Sequence, residues 1–270
     1  MAHVPNANSA ATANSVVLVQ RLADHIALVT LNRPQARNAV NGAVAQALQA
    51  AVDETEADPG VWVVVLTGAG PDVFCAGADL KEVSAGRSAL LRTERSGFAG
   101  FVYGARSKPW IAAVNGKALA GGCEIALACD LIVASDHAAF GLPEVLRGLM
   151  AAAGGVFRLP RALPPKIAIE LILTAGQIDA QRALAFGLVN AVVPRAQLIS
   201  EAQALAQRIC KNAPVAVRES LRIARRANDL TEQELRAMVD EAMPRLTASA
   251  DYKEGPLAFI EKREPRWTGR

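Results

Sequence analysis

The chain has 270 residues, which is enough for one large domain or for one domain with an appendage. Its net charge of +3 is too small to indicate a nucleic-acid-binding protein, although it is compatible with an anionic small-molecule ligand. Hydrophobic residues make up 51% of the chain and aromatic residues only 4%, so the core must consist of Ala, Val, Leu and Ile, which is typical of an α/β protein.

The cysteines and histidines exclude several kinds of site. None of the four cysteines has C-x-x-C spacing and the chain has only three histidines, so we expect neither a metal site nor a bound cofactor. The cysteines are typical of reduced thiols in a cytosolic protein. No secretory signal and no apolar run of about 20 residues is visible, which predicts a cytoplasmic protein without a membrane partner.

The first part of the chain predicts alternating strands and helices. Residues 1–14 are small and polar and are predicted to be a disordered tail. Residues 16–20 and 26–31 are rich in β-formers and indicate a hairpin. Residues 41–57 have apolar residues at helical spacing, and the continuous apolar run at 61–67 favours a strand of a parallel sheet covered on both faces.

Two glycine-containing loops each precede a predicted helix. Gly77 marks a turn before a helix that begins near Ala78, and the pair Gly121-Gly122 directly precedes the helical run at 123–129. Glycine lets a ligand approach the backbone closely, and the N–H groups at a helix start favour negative charge. Each loop can therefore offer a backbone N–H to an anionic oxygen, and Glu124 lies within one turn of the second loop.

The middle of the chain predicts a wall for a pocket. Residues 84–107 indicate a mobile loop followed by a helix that carries three aromatic residues. Residues 130–135 form the next predicted strand, and Pro143 suits the first position of a helix, which would place Glu144 at a helix start.

The last third of the chain is mostly helical. Helices are predicted at 166–174 and 180–186, followed by a last strand at 187–194. Beyond residue 195 the strand signal ends, and four further helices are predicted at 197–211, 214–227, 232–248 and 255–263.

Several motifs in order resemble the crotonase (enoyl-CoA hydratase/isomerase) superfamily. They are F-C-A-G-A-D-L-K at 74–81, N-G-K-A-L-A-G-G-C-E-I-A-L-A-C-D at 115–130 and F-G-L-P-E at 140–144. The resemblance extends over nearly the whole chain. It implies an α/β fold in which a ββα spiral core, at residues 15–197, is followed by a C-terminal helical trimerisation region at 198–270. It also implies a homotrimer or homohexamer.

The resemblance implies the site as well. In such enzymes two backbone N–H groups hold the thioester oxygen of an acyl-CoA, and the matching positions are Ala78 and Gly121. Hydratases of the superfamily have glutamate at both positions that match Glu124 and Glu144, whereas isomerases and decarboxylases often lack one of them. By this match Glu124 would activate water and Glu144 would deliver the proton to Cα, so the resemblance implies an enoyl-CoA hydratase, a lyase of fatty-acid-type metabolism.

The resemblance implies contacts with CoA only at positions where the residues of this chain match the family motifs. The A-G-A-D-L-K motif implies CoA contacts for Ala76, near the adenine, and Lys81, near the phosphates. Phe259 and Lys262 match residues that commonly meet the CoA of a neighbouring subunit. The intervening motif residues are part of the same predicted contact surface: Gly77, Asp79 and Leu80.

Alternatives stay open at this point. The C-terminal segment is also similar to that of carnitinyl-CoA dehydratases. Another crotonase reaction, such as isomerisation, is a second alternative. A non-enzymatic role in RNA binding or as a scaffold is a third. A trimethylammonium substrate would suit an aromatic cage or a carboxylate. The predicted pocket wall contains aromatic residues (Phe98, Phe101 and Tyr103) and arginines (Arg87, Arg92, Arg95 and Arg106), and these positive charges argue against a cationic acyl chain. Low aromatic content argues against a glycosidase.

Overall fold

The computed structural model describes residues 15–270, which form a mixed α/β fold; the predicted tail at 1–14 lies outside the described residues. The strands are β1 (Val17–Ala23), β2 (Ile26–Leu31), β3 (Val63–Gly68), β4 (Val73–Cys75), β5 (Arg92–Thr93), β6 (Gly97–Phe98), β7 (Trp110–Val114), β8 (Lys117–Leu119), β9 (Leu131–Ser135), β10 (Ala139–Gly141), β11 (Gln177–Asp179) and β12 (Ala191–Val193). The α-helices are α1 (Gly42–Ala57), α2 (Leu80–Ser84), α3 (Gly121–Leu127), α4 (Gly155–Ala162), α5 (Pro165–Thr174), α6 (Ala180–Ala185), α7 (Leu198–Cys210), α8 (Pro214–Ala224), α9 (Glu232–Ala248) and α10 (Ala250–Glu261).

The larger sheet has six strands in the order β1-β2-β3-β7-β9-β12. β1 and β2 form the predicted antiparallel hairpin, and the other neighbours pair in parallel. All residues of β3 and β7 are buried, because alternate side chains enter two different hydrophobic clusters on the two faces. The continuous apolar run that predicted a doubly covered strand is therefore explained.

A smaller sheet carries the loops of interest. Its four strands lie in the order β11-β10-β8-β4, and β8 pairs in parallel with both β4 and β10. Successive strand pairs send one member to each sheet: β3 and β4 precede α2, and β7 and β8 precede α3. This repeated ββα arrangement confirms the predicted fold, although the sequence did not predict the three-residue strands of the smaller sheet.

Helices cover the two faces of the larger sheet. α1 buries one apolar face against the main core, and the Asn41 side chain accepts a hydrogen bond from the Val44 N–H, which caps its start. On the other face, α7 packs Leu198, Ala202 and Ala206 against the sheet. The division at residue 197 stays a prediction, but α7, beyond that division, is part of the packing of the core.

The C-terminal helices are tied to the sheet by an ion pair. Arg225, which follows α8, donates from Nε and Nη2 to the two carboxylate oxygens of Asp130 at 2.6 and 2.7 Å. Asp130 also accepts a hydrogen bond from the Trp110 N–H at the start of β7. Such a bidentate, partly buried pair fixes orientation as well as distance. The predicted trimerisation through this region stays a prediction.

The helix predicted within residues 84–107 is wrong. After α2 this segment forms a 3₁₀ turn (Ser88–Leu91), the short β5–β6 hairpin and a series of turns. Gly97, Ala99 and Gly100 all have left-handed backbone angles, with φ of 68°, 58° and 63°. Three such residues within four positions exclude a continuous α-helix. Aromatic spacing alone does not reveal this, because the determinant is the backbone.

Candidate active site

The start of α3 is held in an unusual backbone conformation. Ala120, directly before the helix, has φ 51° and ψ −130°, and its N–H donates to the Gly141 carbonyl oxygen at 2.9 Å. A non-glycine residue in this region is strained, and such strain clusters at functional sites. Because the first N–H groups of a helix have no partner within it, the Gly121 N–H is available to a ligand at this point.

The loop between β4 and α2 lies against that helix start. Gly77 has φ 90°, and a Cβ atom built on it would lie 2.8 Å from the Gly121 nitrogen. Val40 fixes the loop from the other side, since its N–H donates to the Gly77 oxygen and its oxygen accepts from the Asp79 N–H. Within the described residues, the N–H groups of Ala78 and Gly121 donate to no protein acceptor.

Glu124 is a buried carboxylate on α3. Its residue is 3% exposed, and its Oε1 accepts a hydrogen bond from the Gly155 N–H at 2.8 Å. Burial raises the pKa of Glu124 to about 7, the Gly155 N–H opposes that rise, and the charge of Glu144 adds to it. The carboxyl group is thus able to exchange a proton near neutral pH.

Glu144 faces the same cavity from a different element. It lies in the 3₁₀ helix Pro143–Arg147, where Pro143 occupies the first turn as the sequence predicts, although the helix is not an α-helix. The half-buried Glu144 side chain has a buried Oε2 atom without a hydrogen-bond partner among the described residues. Burial raises the pKa of Glu144, and the Arg147 charge opposes this. An unpartnered buried carboxyl oxygen is suited to bind a polar group of a substrate.

One cavity of about 1040 Å³ brings most of the predicted residues together. The predicted residues that line it are Ala76, Ala78, Asp79, Leu80, Lys81, Gly121, Glu124 and Glu144. Gly77 is buried behind the wall, beneath the Gly121 nitrogen. Phe259, 85% exposed, lies in α10, and Lys262 ends that helix; neither lines the cavity. Their predicted contacts with the CoA of another subunit stay predictions.

The cavity wall differs from the predicted one in its charge. Phe98 and Tyr103 line the cavity, whereas Phe101 is fully buried behind it. Of the four arginines expected there only Arg92 lines it. Arg87 pairs with Glu82, Arg95 pairs with Asp53, and Arg106 donates to backbone carbonyls of Phe101, Gly104 and Ala128. The expected positive wall is therefore wrong for these three arginines.

Several lining residues were missed by the sequence interpretation. Arg33, which reaches the cavity from a distant turn, donates to the Asp79 carboxylate at 3.2 Å. The apolar part of the wall includes residues that carry no motif of their own: Leu91, Leu119, Leu149, Met150 and Ala152. No local pattern marks them, because they meet only after the loops fold together.

No group of three or more His, Cys, Asp or Glu side chains is placed to hold a metal ion among residues 15–270. In the same part of the chain no helix is both long and apolar enough to cross a membrane. The acidic residues that line the cavity are Glu124, Glu144 and Asp79, and Asp79 is paired with Arg33.

Comparison with known proteins decides the family. Residues 21–270 match the model of the enoyl-CoA hydratase/isomerase family. The chain belongs to this family. Its α/β architecture and this match confirm the crotonase-like fold expected from the motifs.

The family members most similar to the chain include proteins of two specificities. A carnitinyl-CoA dehydratase of Proteus mirabilis is 41% identical over 247 residues, which cover 90% of this chain and 94% of the relative. The crystal structure of enoyl-CoA hydratase from Mycobacterium tuberculosis is 44% identical with a TM-score of 0.90, and covers 95% of this chain and 100% of its own. Carnitinyl-CoA hydratase from Mycobacterium avium is 50% identical with a TM-score of 0.76 at the same coverage.

Proposed function

We propose that this protein is a hydro-lyase that adds water reversibly across the 2,3 double bond of a 2-enoyl-CoA thioester. One observation carries the proposal: two carboxyl groups of raised pKa, Glu124 and Glu144, face one cavity with two backbone N–H groups that have no acceptor among residues 15–270. Conjugate addition of water requires both kinds of group. The carboxyl groups transfer protons, and the N–H groups stabilise the negative charge that develops on the thioester oxygen.

The two N–H groups would bind the thioester oxygen. Ala78 and Gly121 come from separate loops that touch at Gly77, so their separation is fixed before substrate binds. As water adds at Cβ, negative charge moves onto the thioester oxygen of the enolate. Removal of one such donor typically costs about 10²–10³ in rate, because it acts on charge present in the transition state.

The two carboxyl groups would divide the proton transfers. Glu124, ionised and held by the Gly155 N–H, would accept a proton from the attacking water. Glu144, protonated, would donate a proton to Cα. The product then carries the hydroxyl at Cβ and one new hydrogen at Cα, and exchange of one proton between the carboxyl groups restores the starting state. Because the groups interact, their pKa values belong to the pair.

The CoA moiety would lie along the basic side of the cavity. Lys81 and Arg33 line this side, and Asp79 both caps α2 and holds Arg33. We retain Ala76 as the proposed adenine contact, and Phe259 and Lys262 as proposed contacts with the CoA of another subunit of a homotrimer or homohexamer. Exposed apolar side chains on α10, including Phe259 and Ile260, are consistent with such an assembly.

A second candidate is a carnitinyl-CoA dehydratase, which would act on crotonobetainyl-CoA. Two observations favour it: curated relatives carry that activity in their names, and Phe98 and Tyr103 line the cavity. Arg92 and Arg147 line the same cavity, so the charge of its wall does not itself favour a cationic acyl group. An aromatic face and nearby carboxylates attract a trimethylammonium group.

The test is loss of the conjugated-thioester absorbance with crotonyl-CoA, hexenoyl-CoA and crotonobetainyl-CoA in separate reactions. Fast loss with the first two supports the general hydratase. Loss with crotonobetainyl-CoA alone selects the second candidate. No loss with any of them, by a folded protein that binds acyl-CoA, would contradict the proposed hydration.

A further inference from the structure

The loop at residues 152–155 determines where the Glu124 carboxylate lies. The Gly155 N–H donates to Glu124 Oε1, and the Ala153 amide also lowers the Glu124 pKa. The loop is part of the cavity wall as well, since Ala152 and Ala153 line it. A shift of this loop would therefore move a carboxylate and change the shape of the cavity together.

Arg158, one turn into α4, holds this loop. Its Nη1 donates to the Ala153 oxygen at 3.3 Å. A Cβ atom built on Gly154, which has φ 111°, would lie only 2.7 Å from the same Nη1 atom. The guanidinium group thus lies directly against the backbone of the loop, in space that a side chain at position 154 would occupy.

The other side of Arg158 holds the opposite cavity wall. Its Nη2 donates to the Val102 oxygen at 2.6 Å, and its Cζ lies 5.3 Å from the centre of the Tyr103 ring. Tyr103 makes a second link, because its hydroxyl donates to the Ala152 oxygen at 3.0 Å. The loop and the turn that carries Tyr103 are consequently joined twice.

We propose that Arg158 is a positioning residue for Glu124, joining the loop that binds the Glu124 carboxylate to the turn that forms the acyl-chain wall. The proposal rests on the proposed function, because it assigns a task to Glu124 in hydration. The planar guanidinium is suited to this task, since it directs two donors to two carbonyls at a fixed angle.

Several charged or titratable groups surround the pair. Glu144 faces Glu124 from the 3₁₀ helix and raises its pKa, whereas the Arg158 cation lowers it. The Cys123 thiol, on α3, interacts with Glu124. The remaining groups face Arg158: Tyr103 from the turn, Cys129 from the segment after α3, Arg106 from the segment before β7, and Arg161 from α4. Loss of the Arg158 charge should therefore raise the Glu124 pKa.

Two matched variants test the proposal. Arg158→Gln removes the cation and the two-carbonyl link, whereas Arg161→Gln removes a cation of the same helix that pairs instead with Asp229. The Glu124 pKa is measured without turnover, by infrared titration of the carboxyl stretch with Glu124→Gln subtracted. We expect a rise of about one unit in Arg158→Gln, a smaller change in Arg161→Gln, and a kcat loss of about 10- to 100-fold in the former.

Arg158→Lys separates the effect of the charge from that of the hydrogen-bond geometry. It also replaces Arg158→Gln in the test if that variant does not fold. Lysine keeps the charge but not the forked donors, so we expect the Glu124 pKa to stay near wild type while kcat falls. Unchanged kcat and an unchanged Glu124 titration in folded Arg158 variants would overturn the proposal. If wild type hydrates none of the three thioesters, the proposed function fails, and the infrared titration still decides whether Arg158 acts on Glu124.

Discussion

The two carboxylates at the cavity come from regions that are packed very differently. Glu124 lies in α3, whose first six residues are all buried, and a backbone N–H holds its carboxylate. Glu144 lies directly before an exposed segment, in which Leu146 is 71% and Met150 is 64% exposed. Its buried oxygen has no partner within the described residues.

This difference assigns different physical properties to two chemically identical groups. The position of Glu124 is set by the core, so a water molecule bound to it is directed to one place. Glu144 lies in a short, partly exposed 3₁₀ helix, and no backbone N–H of the described residues holds its buried oxygen. Under the proposed mechanism, a base held by a backbone N–H and an acid whose buried oxygen has no partner among residues 15–270 suit a reaction in which water and Cα occupy different positions in one cavity.

The largest effect should come from neutralising either carboxylate. Glu124→Gln and Glu144→Gln should each lower kcat about 10²–10⁴-fold, because each removes a proton-transfer group. For Glu144→Gln we expect little change in KM, as for a role confined to the transition state. Steady-state kinetics with the best thioester measures both. Glu170→Gln, on the exposed surface of α5, is the control, and wild-type turnover by a glutamine variant at either site would contradict its assigned role.

Gly121→Ala should break the contact between the two loops. A Cβ atom at this position would lie 2.5 Å from the Phe98 ring, so the ring or the helix start must move. We expect kcat to fall about 10²-fold, as when one oxyanion donor is misplaced. In the double variant Gly121→Ala/Phe98→Ala the clash is removed and part of the activity should return relative to Gly121→Ala. If Gly121→Ala and wild type are equally active, the Gly121 N–H is excluded as a precisely placed donor to the thioester oxygen.

Stability should depend on pH through the buried carboxylate. Burial raises the folded-state pKa of Glu124 from its ordinary value of 4.5 to about 7, so its contribution is fully present below pH 4.5 and is lost as pH rises through 7. The loss corresponds to about 3 kcal/mol of unfolding free energy. Thermal unfolding across pH 4–8 measures it, and Glu124→Gln should reduce this dependence and leave the part contributed by Glu144, whose pKa burial also raises. An equally steep profile in the variant would assign the dependence to another group.

The smallest effect is expected in the exposed segment. Leu146→Ala should change the free energy of unfolding by less than about 0.5 kcal/mol, because its side chain makes few contacts. Leu142→Ala, at the start of the same segment but 1% exposed, should cost about 2–5 kcal/mol. Denaturant unfolding of both variants makes the comparison. A loss above 1 kcal/mol for Leu146→Ala would show that this surface is covered in the native protein.

Much of the larger sheet could be predicted from the sequence. β3 is a continuous apolar run and α1 has apolar residues at helical spacing, so the local pattern alone predicts both. The strands of the smaller sheet have three residues each, too few for a pattern of burial to appear. The helix predicted within residues 84–107 failed because Ala99 adopts a left-handed conformation that no composition rule expects.

The residues that line the cavity could likewise be predicted only in part from the sequence. The glycines at 77 and 121 marked two loops, and the resemblance linked them to Glu124 and Glu144, but their meeting depends on the order of strands in the smaller sheet. Leu149, Met150 and Ala152 line the cavity without any motif, since an apolar wall needs only size and shape. Arg158 has no local motif that singles it out, because one of the two carbonyls it joins, that of Val102, lies 56 residues away in the sequence.

The glycine contacts between the loops also bear on how the enzyme can be redesigned. A Cβ atom on Gly122 would lie 1.9 Å from the Cys75 oxygen, and one on Gly77 would lie 2.8 Å from the Gly121 nitrogen. A side chain therefore cannot be introduced at either of these two glycines without moving the backbone. In the exposed segment after Glu144, by contrast, a Cβ atom on Gly148 would meet nothing within 4 Å. Libraries aimed at new acyl groups should randomise the exposed segment after Glu144 and leave Tyr103 in place, because Tyr103 helps to hold the loop that binds the Glu124 carboxylate.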